Sequence, residues 1–239
     1  IVVCGLIVGV GIVCMTEAVG PGAVVGGIGL VSGIVGLTKK AIHSGLNLDD
    51  RRYEIVGGLL SLLSKDMAAD AQIGIALDFR PHNHPDKLLR RGKVGYWDAS
   101  FFVDRWLEMQ GRFMDGTKYS VTLLEKQQDR HRTKRSASGK IKHKYKTKNA
   151  SEAIVSLKIK QKRYPGAADS PGGIQEKMKL PPWVELKSAT TEGDVLTLRT
   201  TTRSGWDAVG PEKSRPAHDG VHWMAMMFLA LYRLLNDSK

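Results

Sequence analysis

Two histidines and a carboxylate alternate along one short stretch of this 239-residue chain, as His82-Asn-His84-Pro-Asp86. Imidazole nitrogens and a carboxylate oxygen are ligands for a divalent transition metal. Three such ligands with one open position can activate water for hydrolysis. The run from Gln72 to Phe79, just before, reads as a buried strand. Pro81 and Pro85 suit a rigid turn at its end. The plain alternative is a surface turn that happens to be rich in histidine.

A His-x-His-x-Asp segment after a strand resembles part of the metal motif of the metallo-β-lactamase family. The resemblance covers five residues and implies a metal-dependent hydrolase using His82, His84 and Asp86. The chain departs from the family pattern at Lys87, where the family has a second-metal histidine. The family also needs a later His, a bridging Asp and a final His. Here His131 and His143 lie in a basic segment, and His218 and His222 stand four apart at the start of a helical stretch. That spacing shares a helix face, although Asp219 between them fits a helix cap. No Walker loop, dinucleotide fingerprint, nucleophile elbow or Cys-x-x-Cys occurs. The sequence therefore favours a non-catalytic protein, and no cofactor is expected.

The second chemistry is charge. Residues 126–163 hold fourteen Lys/Arg against two acids, a net of +12, which equals the net charge of the whole chain. Lys140, Lys142, Lys144 and Lys146 fall on one side of a strand, because side chains alternate. Lys158, Lys160 and Lys162 do the same on what reads as the next strand, with Arg163 following. If those strands pair, two lysine rows lie side by side, and like charges facing each other across a sheet repel. A counter-anion would relieve the repulsion: lipid headgroups, an acidic protein or a nucleic acid. The plain alternative is a solvated face whose lysines discourage edge pairing.

These residues need elements to hold them. Apolar residues recur at helical spacing from Leu48 to Met67, after Asp49 and Asp50 in the first turn. The period then becomes two. Strands are expected over Gln72–Phe79, from Leu107 to Phe113, and from Tyr119 to Leu123 after the Asp115-Gly116 turn. Further strands are expected at Ile141–Tyr145, Ala153–Ile159, Val184–Ser188 and Leu196–Thr200. That makes about seven, mostly in consecutive antiparallel hairpins. A last apolar helix runs from Gly220 to about Asn236, capped by Asp219, and is short for a membrane span.

The first 37 residues carry one charge, Glu17, and ten glycines, and Lys39-Lys40 follow. Uncharged apolar stretches of this length suggest two transmembrane helices joined near Thr16–Gly20. Gly5/Gly9, Gly22/Gly26 and Gly29/Gly33 are each spaced by four, on one helix face, where small residues let helices approach closely in lipid. The expected class is thus α+β. A Gly-rich transmembrane helical hairpin (1–40) leads through an amphipathic helix and connector (41–71) to a basic antiparallel β-sheet or barrel-like domain with flanking helices (72–239). The lysines at the membrane exit place that domain on the cytoplasmic side. The function expected is a membrane-anchored binding or assembly protein, in a homo-oligomer or larger membrane complex, that offers a lysine-rich β surface to an anionic partner. The alternatives are an oligomerising, pore-forming membrane effector and a membrane-bound metal-dependent hydrolase.

Overall fold

The computed structural model describes residues 50–160, 164, 179–208 and 218–237. Three long strands dominate it: β3 (Trp97–Arg112), β4 (Lys118–Arg135) and β5 (Ile141–Lys158). They form two consecutive antiparallel hairpins. The first turns at Asp115-Gly116, where Gly116 adopts a φ of 86° and the Asp115 carboxylate accepts from the Thr117 N–H and hydroxyl at 2.8 and 2.9 Å. A left-handed φ suits glycine, and the short acidic side chain closes the turn locally. β6 (Glu185–Glu192) and β7 (Val195–Thr202) make a third hairpin. β7 pairs with β5, giving the order β3-β4-β5-β7-β6. β1 (Gly74–Leu77) and β2 (Leu88–Val94) both pair with β3, at Leu107–Gln110 and Trp97–Phe102. They lie end to end on one edge of β3, and residues 78–87 leave the sheet between them. A small parallel pair, β8 (Trp206–Asp207) and β9 (His218–Asp219), precedes the last helix.

One face of the sheet is apolar where the strands are most crowded. Leu107, Met109, Tyr119, Val121, Leu123, Ala153, Val155, Leu157, Leu196 and Leu198 are buried there. Helix α1 (Asp50–Leu63) covers it with Ile55, Leu59 and Leu63, and helix α2 (Gly220–Asp237) with Trp223, Met224, Met227 and Leu231. Burying each such side chain contributes about 1.5–3 kcal/mol. Asp219 caps α2 by accepting from the His222 N–H at 2.9 Å. The Trp223 indole N–H donates to Thr200 Oγ1 at 3.0 Å, so this polar pair is satisfied inside the core. The opposite face, called the back face below, carries no helix among the described residues.

The expected fold class needs correction. The described chain is mostly antiparallel sheet with two α-helices, and neither is long and apolar enough to cross a membrane. At about 1.5 Å per residue, α1 is shorter than a bilayer core. α2 turns its apolar residues onto the sheet. Among the described residues no transmembrane hairpin is seen. The segment 1–40 expected to form it, with Gly5, Gly9, Gly22, Gly26, Gly29 and Gly33, lies outside the described residues.

The strand layout also differs: β3 begins ten residues before the expected Leu107, and β4 runs twelve residues past the expected Leu123. The segments expected as separate strands near Ile141–Tyr145 and Ala153–Ile159 are one 18-residue strand, paired with β4 without a break from Ile141 to Lys158. Apolar alternation stops where the strand leaves the core, but backbone pairing does not need it. β2 was not expected at all, because Leu-Leu-Arg-Arg-Gly-Lys-Val has no apolar alternation.

Candidate functional site

The histidine segment forms the excursion between β1 and β2, and His82 turns away from His84 and Asp86, which stay together. His82 Nε2 reaches across the helix-covered face to lie 2.6 Å from the Gln127 side-chain nitrogen and 3.4 Å from Asp129 Oδ2. His84 Nδ1 accepts from the Asp86 N–H at 3.3 Å and caps a short 3-10 turn. Asp86 is ion-paired with Arg80 at 2.7 Å. Lys87, at the position where the resembled family has a histidine, is buried with its Nζ 2.7 Å from the buried Asp104. Arg52 meets the other Asp104 oxygen at 2.8 Å and stacks over Trp106. Hydrogen bonds from Arg80 hold the Asp78 carboxyl well below the usual carboxylate range. The excursion is thus fastened by ion pairs along its base. Among the described residues no group of three His, Cys, Asp or Glu side chains is placed to hold a metal ion.

The basic residues converge more closely. β4 and β5 continue past the helices as an arm, flanked by β3 and β2 as far as His131 and alone beyond it, closed at Ser136–Gly139, where Gly139 has a φ of 77°. Register fixes which side chains share its back face. Arg130 stands directly opposite Lys146, Arg132 opposite Lys144, and Lys134 opposite Lys142. Lys148 continues the row opposite Gln128. On the neighbouring strands Phe101 and Ala99 occupy the same face, opposite Gln128 and Arg130, and Arg90 on β2 faces Phe101. Two guanidinium groups lie over aromatic rings here: Arg90 over Phe101 at 3.9 Å and Arg132 over Trp97 at 5.1 Å. Such contacts orient arginine without neutralising it. The back face from Arg90 to Lys148 therefore presents eight cations, and no carboxylate shares it among the described residues.

The opposite face of the same arm is different. Asp98, Asp129, His131, His143, Thr147 and Tyr145 lie there. Burial alone would raise the Asp129 carboxyl, but hydrogen bonds from Gln127 and Thr147 and the nearby His82 outweigh it and lower it.

Of the expected basic residues, Lys142, Lys144 and Lys146 stand together on that face, and Lys140 precedes β5 in the turn. Lys158 does not lie beside them. It is twelve residues beyond Lys146 along the same strand, about 40 Å at ~3.3 Å per residue. There it faces Lys118, which faces Arg112, and with Lys160 they border an open groove of about 610 Å³. Asp194 is 3.3 Å from Lys158 in that groove. Lys162 and Arg163 lie outside the described residues. The expected pair of adjacent lysine rows is therefore replaced by a row on β5 facing a row on β4. Arg130, Arg132 and Lys134 were legible at spacings of two, but their place opposite the β5 lysines needed the register.

Between the two basic ends the back face holds one buried carboxylate. Glu152 is 2% exposed, and Lys126, Lys187 and Arg199 close on it from three strands, the last two at 3.2 and 3.3 Å. Burial would raise its carboxyl, yet the hydrogen bonds and charge of Lys126 and Lys187 prevail and the net shift is downward. These three cations share one carboxylate, whereas those of the arm have none beside them among the described residues. No family model, curated protein or solved structure matches this chain.

Proposed function

We propose that this chain is a non-catalytic binding or assembly protein that offers the back face of the β4–β5 arm to an anionic partner. One observation carries this reading: three cation pairs stand directly opposite each other, Arg130–Lys146, Arg132–Lys144 and Lys134–Lys142, and from Gln128 to Lys148 no carboxylate on β4 or β5 shares their face. Directly opposed like charges destabilise a sheet. Each pair costs about 1 kcal/mol at most in water and is screened by salt. An anion laid across the row removes that cost and gains attraction from several cations at once. Lipid headgroups, acidic protein and nucleic acid share the chemistry this face would recognise. A hydrolase using His82, His84 and Asp86 is less favoured, since His82 turns away to Gln127 and Asp129 while Asp86 stays beside His84 and is paired with Arg80.

The test is to neutralise the two ends of the sheet separately in the full-length chain. One variant carries Arg132→Gln, Lys142→Gln, Lys144→Gln and Lys146→Gln. The other carries Lys118→Gln, Lys158→Gln and Lys160→Gln. Retention on an anionic matrix should fall sharply for the first and little for the second, with circular dichroism unchanged. Retention of the first variant equal to that of wild type overturns the reading.

A further inference from the structure

The arm has an open edge as well as a basic face. β5 pairs with β7 only from Ser151 to Lys158. From Ile141 to Ala150 it has β4 on one side and, among the described residues, no strand on the other. These ten residues span about 33 Å, and every second one directs its backbone N–H and C=O outward. Natural sheets usually blunt such an edge with proline, a bulge or a very short strand. None of these is present: the segment lacks proline and its register with β4 is unbroken. Only lysines guard it.

Lysines guard an edge selectively. A second copy of this strand would set lysine against lysine and be repelled, whereas a strand with carboxylates would be drawn in. The two sides of the edge also differ in character. Lys142, Lys144, Lys146 and Lys148 line the back side. Ile141, His143 and Tyr145 line the other, and Ile141 and Tyr145 are 66% and 77% exposed. Tyr145 rests on His131 at 4.8 Å between centroids, and His131 stacks on His143 at 5.6 Å, so this side is an ordered aromatic surface. A cationic side, a free backbone edge and an aromatic side are thus interleaved with a period of two.

An extended polypeptide has the same period. A lipid surface or a nucleic-acid backbone would use the lysines, but neither carries the alternating N–H and C=O groups that pair with a whole strand edge, and the aromatic surface points away from the cations. We propose that β5 from Ile141 to Ala150 accepts an acidic peptide as an added strand, its carboxylates over the lysine row and its alternate apolar side chains over Ile141, His143 and Tyr145. This inference rests on the back face being an anion-binding surface. It adds the partner class, an acidic polypeptide, and the mode, strand addition.

The probe is an acetylated, amidated decapeptide in which Glu alternates with Val or Phe, titrated into the full-length chain. Two isomers of it carry backbone N-methyl groups, on one edge or on the other. Because strand addition uses one edge of the peptide, one isomer should bind like the parent and the other about tenfold or more weakly. A peptide of the same composition with all Glu residues at one end should also bind weakly. Lys144→Glu with Lys146→Glu should lose the Glu peptide and gain one in which Lys replaces Glu. On binding, alternate amides between Ile141 and Ala150 should become protected from hydrogen exchange.

The outcomes separate the two levels. Equal binding of both N-methyl isomers and of the rearranged peptide, all weakened by Lys144→Glu with Lys146→Glu, overturns strand addition and leaves the anion-binding face standing. Tight salt-dependent binding to phosphatidylserine vesicles or duplex DNA, with none to any peptide, does the same. No affinity for any of these probes overturns both.

Discussion

At the residue scale, the two treatments of positive charge on the back face have different consequences. Glu152 is a buried carboxylate matched by Lys126, Lys187 and Arg199. Replacing it by Gln keeps the shape but leaves three cations crowded together. Breaking a fully buried ion pair costs about 3–5 kcal/mol. Because these cations are nearly half-exposed, solvent reduces that cost, and Glu152→Gln should destabilise by about 1–3 kcal/mol in chemical denaturation. The effect should depend on pH. The Glu152 carboxyl is lowered in the folded state from its ordinary value of 4.5, so its contribution is complete above that pH. It is lost as the pH falls below 4.5 and through the folded value. The stability gap between wild type and Glu152→Gln should therefore close in acid, and a gap that widened there would contradict this assignment. The cations of the arm have no such matched carboxylate, so removing charge there should cost no stability.

At the element scale, two adjacent glycines in α1 play opposite parts. A Cβ on Gly58 would sit 2.5 Å from the Val221 side chain of α2, so the helices approach closely there. A Cβ on Gly57 would meet nothing within 4 Å. Gly58→Val should thus destabilise by about 1–3 kcal/mol through overpacking. Gly57→Ala should stabilise by about 0.5–1 kcal/mol through helix propensity. Thermal or urea unfolding of the two variants checks the signs, and a neutral Gly58→Val would remove the close contact. The sequence places both glycines in a helix but cannot say which one faces α2. The same limit applies along the strands. The Asp115-Gly116 turn, the apolar alternation of Tyr119–Leu123 and the capped last helix were legible because each depends on neighbouring residues. The length of β5 was not, because from Ile141 to Asn149 both faces are solvent-exposed and no burial marks its alternation.

At the scale of the whole molecule, the chain divides a single sheet between two tasks. The part near Leu107, Val121, Val155 and Leu198 is covered by α1 and α2 and supplies the core. The part beyond Glu125 and Ser151 extends β4 and β5 past the helices and exposes charge. The concentration of net charge in residues 126–163 was plain from composition. Its arrangement was not, since a row on β4 meets a row on β5 only through the register around Arg132 and Lys144. The His82-x-His84-x-Asp86 spacing drew attention for its chemistry, but spacing along the chain does not set where side chains turn. The central claim is that the opposed rows bind an anion as one unit. The most direct test measures the affinity of the full-length chain for polyglutamate over a range of salt concentrations. Wild type is compared with the variant carrying Arg132→Gln, Lys142→Gln, Lys144→Gln and Lys146→Gln. Affinity should fall about tenfold or more at low salt, and the dependence on salt should become shallower. A variant with the affinity and salt dependence of wild type would contradict the account.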